Sequence, residues 1–160
     1  MAPPPLNPTI RYYPAGIRKT YWAATIGNYQ APTRAELNAG VDLTAEISAM
    51  SGWSITSNMV DTPDMGSRFV GQVPGALVGQ KNDITFYQSQ NSQDVRSLLS
   101  NNMAGFITVL WEGDIVGQLM DVFPVLIASV APDATVNKAG EIMIDFALTR
   151  VPAIGTVIPG

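Results

Sequence analysis

The sequence predicts a mainly-β (α+β) domain of about six short strands, mostly joined by hairpins, with one helix at its side. Three observations carry that expectation. Short runs of aromatic and β-branched residues alternate with clusters of Gly, Pro, Asn and Asp, the pattern of strands and turns. Only one stretch, near residue 95, keeps convincing helical spacing. The length, 160 residues, suits one domain rather than two. Apolar residues make up 46 % of the chain and charged residues 14 %, where a soluble domain averages about 25 % charged. Such a composition excludes disorder, and it is thinly charged for a free monomer.

The first 16 residues hold five prolines, Pro3, Pro4, Pro5, Pro8 and Pro14, each of which fixes its φ and lacks an N–H. Residues 1–16 therefore read as an extended arm, either frayed or docked on a neighbour, and residues 17–160 as a single domain. Residues 21–26 (Tyr-Trp-Ala-Ala-Thr-Ile) form the first strand, closed by Gly27 and Asn28. Thr33 and Glu36 have capping-box spacing, so a brief helical turn follows, with Gly40 ending it in a left-handed conformation. Residues 42–52 fit helix or strand. Residues 53–60 alternate, with Trp53, Ile55 and Met59 on one face and Ser54, Thr56 and Asn58 on the other.

Residues 61–82 are dense in turn formers (Pro63, Gly66, Gly71, Pro74, Gly75, Gly79) and read as a long loop, well beyond the usual four to six residues. It carries Phe69, Val70, Val73, Leu77 and Val78, which a solvated loop would not keep. The next strand covers residues 83–88. Residues 93–100 are the expected flanking helix, with Val95, Leu98 and Leu99 at i, i+3 and i+4 and Ser92 as cap. Three strands close the chain at 106–111, 122–130 and 141–150. The last alternates cleanly, as a strand with one wet face should. The other two do not. Residues 106–111 place Phe106 and Leu110 on one face and Ile107, Val109 and Trp111 on the other. Either a sandwich covers the second face internally or another copy of the chain does, and the low charge favours the copy.

The absences narrow the function. The chain has no cysteine and no histidine, which removes thiolate nucleophiles, cysteine metal sites, the commonest general base and the commonest metal ligand. Gly75 to Lys81 resembles a phosphate loop but fails on spacing and lacks the following Ser or Thr. Asp61 and Asp64 lie in a Pro-containing turn where Asp caps backbone amides as routine. Trp22, Trp53 and Trp111 sit in strand patterns and read as core. The chain is thus not expected to be an enzyme or to carry a cofactor or metal. A formal charge of −4 argues against a basic nucleic-acid clamp. Neither a secretory signal nor a run of 18 apolar residues is visible, so folding in the cytoplasm without a membrane span is expected.

The ordered set of segments resembles a known family. The stretch 32–40 (Pro-Thr-Arg-Ala-Glu-Leu-Asn-Ala-Gly), then Leu43-Thr44, Ser51-Gly52-Trp53 and the stretch 62–66, are similar to the front half of major tail tube proteins of long-tailed phages, particularly those of actinobacterial hosts. The stretch 84–87, the 94–99 segment, Gly105, the stretch 121–125 and the closing 146–149 before Pro152-Ala153 resemble the back half. The resemblance covers residues 20–155.

It implies a small β-sandwich or barrel-like fold with one flanking helix, and hexameric rings stacked into a hollow tail whose inner strands join around the DNA channel. The implied partners are further copies of the chain and the tape-measure, tail-tip and tail-terminator proteins. DNA is implied as transiting cargo without specific binding, and the virion tail as location. On this reading Phe69, Val70, Val73, Leu77, Val78, Ile107, Val109 and Trp111 are expected to contact neighbouring subunits. The alternative is a monomeric β-sandwich binding module, for carbohydrate for example, with its aromatics in a cleft.

Overall fold

The computed structural model describes residues 3–4, 8–133 and 135–160; the expectation for the arm lies outside the described residues at Met1, Ala2, Pro5, Leu6 and Asn7. An antiparallel sheet of eight strands forms the body, in the order β2-β1-β7-β8-β9-β6-β3, with β10 added along β8. The strands are β1 (Lys19–Ala23), β2 (Val41–Asp42), β3 (Ile47–Ser51), β6 (Asn82–Tyr87), β7 (Ala104–Leu110), β8 (Leu119–Pro132), β9 (Glu141–Leu148) and β10 (Ala153–Val157). Separately, β4 (Ile55–Thr62) and β5 (Gly71–Gly79) pair only with each other. The expected mainly-β class is what is found.

The sheet curls until its two ends approach. Thr20 of β1 donates its hydroxyl to Met50 Sδ of β3 at 3.6 Å, and its amide donates to Thr44 Oγ1 at 3.0 Å. The main core lies inside this curl: Trp22, Trp53, Ile84, Phe86, Ile107, Val109, Phe123 and Ile144 are all buried there. A second core lies on the opposite face of β1, β7 and β8, where Ala23, Phe106, Leu110, Met120 and Val122 meet Ile26, Leu37 and Ile158. The doubly apolar strands are therefore covered from within. Ile107 and Val109 face one core and Phe106 and Leu110 the other, which corrects the expectation that another copy covers the second face.

The helical elements are shorter than the pattern suggested. The only α-helix among the described residues is α1 (Arg34–Asn38), held by the Thr33/Glu36 capping box, with Leu37 planted in the second core. Gly40 is not left-handed. Its place follows from space, because a Cβ there would stand 2.8 Å from the Trp22 carbonyl oxygen. Residues 93–100 are not an α-helix but a 3-10 turn, Val95–Ser97. Asp94, not Ser92, caps it: its carboxylate accepts the Arg96 amide and is gripped by the Arg96 guanidinium at 2.7 and 2.9 Å. Residues 42–52 resolve into β2, a 3-10 turn (Thr44–Glu46) and β3.

The Arg96 grip holds the Asp94 carboxyl down at about 2, below its ordinary value of 3.8. A depressed carboxyl contributes stability that is present above the unfolded value and lost as pH falls through the folded one. The melting temperature is therefore expected to drop between about pH 4 and pH 2. Asp94→Asn should flatten part of that drop while lowering stability at pH 7, as read by thermal unfolding across the series.

Candidate subunit interface

The β4–β5 hairpin is the feature that the rest of the fold does not explain. No residue of either strand is buried. Met59, Val60, Val73, Leu77 and Val78 are all exposed, and Phe69 at the turn is 78 % exposed. The register pairs Val60 with Val73 on one face and Met59 with Pro74 on the other, so both faces carry apolar side chains. An isolated two-stranded hairpin is marginal in water, and a patch of this kind marks an interaction surface.

Its root, by contrast, is firmly held. Gly52 and Trp53 both adopt left-handed backbone, at φ 86° and 50°, and this turns the chain out of β3. The Trp53 ring packs edge-on against Phe123, with centroids 5.1 Å apart, and its Nε1 donates to the Asp83 carbonyl at 3.1 Å. Its amide donates to Oδ1 of the fully buried Asn82 at 2.6 Å. At the other leg, a Cβ on Gly79 would press on Leu148 at 2.8 Å. A rigid base thus presents a two-sided apolar hairpin.

The segment expected as a loop at 61–82 is the end of β4, the turn, β5 and the first residue of β6. Of the expected contact residues, Phe69 and Val70 lie at the turn and Val73, Leu77 and Val78 on β5, all exposed. Ile107 and Val109 are fully buried in the subunit's own core and are not available to a neighbour. Trp111 lies just beyond β7, half-buried, with its Nε1 donating to Asp121 at 2.6 Å and the Arg18 guanidinium 4.5 Å above its ring.

Sequence reasoning missed Met59, Val60 and Met65 on the first leg and turn of the hairpin. It also missed a second exposed group, Ile115, Val116, Leu119 and Val157. Leu119 and Val157 are cross-strand partners on β8 and β10, and the Val116 side chain lies beside Gly160.

The remaining polar chemistry is structural. Asp114 accepts from the Arg34 guanidinium at 2.7 Å and from the Tyr21 hydroxyl at 2.9 Å, tying α1 to the turn after β7. Arg34 holds the Asp114 carboxyl below its ordinary value, while burial, aided by Asp114, pushes the Tyr21 phenol up to about 12. The outward face of β6 and β9 carries Asp83 opposite Asp145, with Glu141 further along. Lys81 lies 3.2 Å from Asp145 and Lys138 2.7 Å from Glu141. Among the described residues no cluster of acidic side chains could hold a metal ion, and no helix is long and apolar enough to cross a membrane.

Comparison with known proteins bears on the fold and the family. No curated protein sequence matches the chain. The fold is similar to a chain of the sheath/tube terminator of the PVC extracellular contractile injection system in its extended state. That match has a TM-score of 0.60 at 13 % identity and covers 90 % of this chain and 99 % of that one. It is also similar to a chain in the baseplate of the anti-feeding prophage, with a TM-score of 0.55 at 10 % identity over 95 % and 98 % of the two chains. A chain of that particle's tube-terminating cap matches with a TM-score of 0.52 at 16 % identity over 93 % and 96 %. The family model for the phage tail tube protein matches residues 7–160, and the chain belongs to that family.

Proposed function

We infer that this tail structural protein polymerises as stacked hexameric rings into the hollow tail tube, assembled in the host cytoplasm, through which DNA leaves the virion. The observation that carries the reading is the β4–β5 hairpin, exposed on both faces yet rooted in the core through Trp53. Copies of the same chain are its natural cover in a repeating assembly. Tape-measure, tail-tip and terminator proteins would meet only the ends or the lumen of the tube. The reading assigns no chemistry to the chain: its work is contact.

The charge fits the same role. Six copies at −4 each would give −24 per ring, a field that repels phosphate and lets DNA slide. The free protein is expected not to retain duplex DNA at physiological salt, because non-specific binding takes several Lys or Arg on phosphates. In sedimentation velocity the same protein should grow into large species as concentration rises. A salt-dependent gel shift at micromolar protein would contradict the channel reading, and a single monomer boundary at every concentration would contradict the polymer.

A further inference from the structure

We propose that residues 9–13 of the N-terminal arm pair as an added strand with the open edge of β3 in a second copy of the chain. The inference rests on the reading that copies of the chain assemble, and it names a contact that the hairpin does not make. Thr9, Ile10, Arg11, Tyr12 and Tyr13 form a five-residue run of high β-propensity between Pro8 and Pro14. The run carries no secondary structure, and Ile10 is 94 % and Tyr13 79 % exposed. An apolar, strand-forming segment left in solvent lacks a partner.

The acceptor is the seam where the curled sheet fails to close. β3 also has five residues, Ile47–Ser51, and pairs on one side only, with β6. Among the described residues its other edge makes no backbone hydrogen bond, which is the template for strand addition. A cavity of about 350 Å³ opens along that edge, walled by residues 47–50 of β3, by Arg18, Thr20 and Thr44, and by residues 14–16 at the root of the chain's own arm. Arg18, whose guanidinium stacks 4.5 Å over the Trp111 ring, closes one end of the cavity.

The occupant is another copy's arm because the chain's own arm leads elsewhere. The Ile17 and Arg18 amides both donate to the Pro14 carbonyl, and Gly16 at φ 80° reverses the chain. The Tyr12 hydroxyl then donates to the Trp111 carbonyl at 3.0 Å. Trp111 follows β7, which flanks β1 on the side away from β2 and the β3 seam. The arm therefore leaves the rim of its own seam and runs outward, where it can reach a neighbour.

The chain has no cysteine, so single introduced thiols report the contact directly. Arg11→Cys protein with an added tag and untagged Ala49→Cys protein would be mixed, allowed to assemble and oxidised. The expected result is a heterodimer band several-fold stronger than in an Arg11→Cys and Val136→Cys mixture. It should weaken when an excess of the chain carrying neither introduced thiol, with its arm intact, competes for the seam. Polymer that forms with no excess of the 11–49 product would overturn the inference while leaving the proposed function intact. A doubly substituted chain that closes on itself equally well in dilute monomer would overturn it too, by showing that the arm serves its own seam. If no polymer forms in any mixture, both readings fail together.

Discussion

A variant in which residues 56–78 are replaced by a short Gly/Ser linker is expected to fold as a monomer and to lose polymerisation completely. The hairpin contributes nothing to either core: its strands have no buried residue, and both cores are built from the other elements. The replacement keeps Ile55, Gly79 and the Trp53 anchor, so the root survives. Fully burying one large apolar side chain is worth about 1.5–3 kcal/mol before ordering costs. Exposed on the hairpin are Met59, Val60, Phe69, Val73, Leu77 and Val78. Several such contacts repeated around a ring separate monomer from polymer. Thermal unfolding of the variant should match the parent monomer, while light scattering shows no growth. If the hairpin instead serves as a cover for its own subunit, the melting temperature falls and the polymer persists, and the account of the interface is wrong.

The second large effect separates core from contact. Ile107→Ala should destabilise the subunit by about 2–5 kcal/mol, the usual cost of truncating a buried aliphatic side chain. Ile107 is fully buried beside Val109 and Phe123. Each kcal/mol lowers the melting temperature of a domain this size by about 2–4 °C. Leu77→Ser, exposed on β5, should leave the monomer's stability within about 0.5 kcal/mol of the parent, as surface substitutions do, and sharply reduce assembly. The reverse pattern, with Ile107→Ala stable but assembly-defective, would return β7 to the interface.

The residues that misled sequence reasoning each did so for a physical reason. The alternation of β9 was legible because one of its faces is wet: Ile142, Ile144 and Phe146 are buried, and Glu141 and Asp145 face outward. β7 breaks that alternation because two cores lie against it, and a sequence cannot say whether the second cover is the same chain or a copy. Val95, Leu98 and Leu99 keep helical spacing, yet one 3-10 turn suffices to bring Val95 and Leu99 into the main core.

The hairpin read as a loop because of its glycines and prolines. In the structure Pro74 sits opposite Met59 on a strand with a free edge, where a missing N–H is tolerated. Gly75 is demanded by approach, since a Cβ there would stand 2.6 Å from the Asn58 carbonyl oxygen. Its apolar content, exposed on the hairpin, is what the contact reading rests on. The Ile115, Val116, Leu119 and Val157 group had no such signal, because the turn before β8, the start of β8 and the distant strand β10 assemble it.

The most direct test of the central claim is cryo-electron microscopy of the purified, untagged full-length protein at the concentration where it grows in sedimentation. The account predicts hollow tubes with six subunits per ring, in which the β4–β5 hairpin is covered on both faces by neighbouring copies. Well-dispersed monomers at that concentration, or filaments with no lumen and with the hairpin left in solvent, would contradict it.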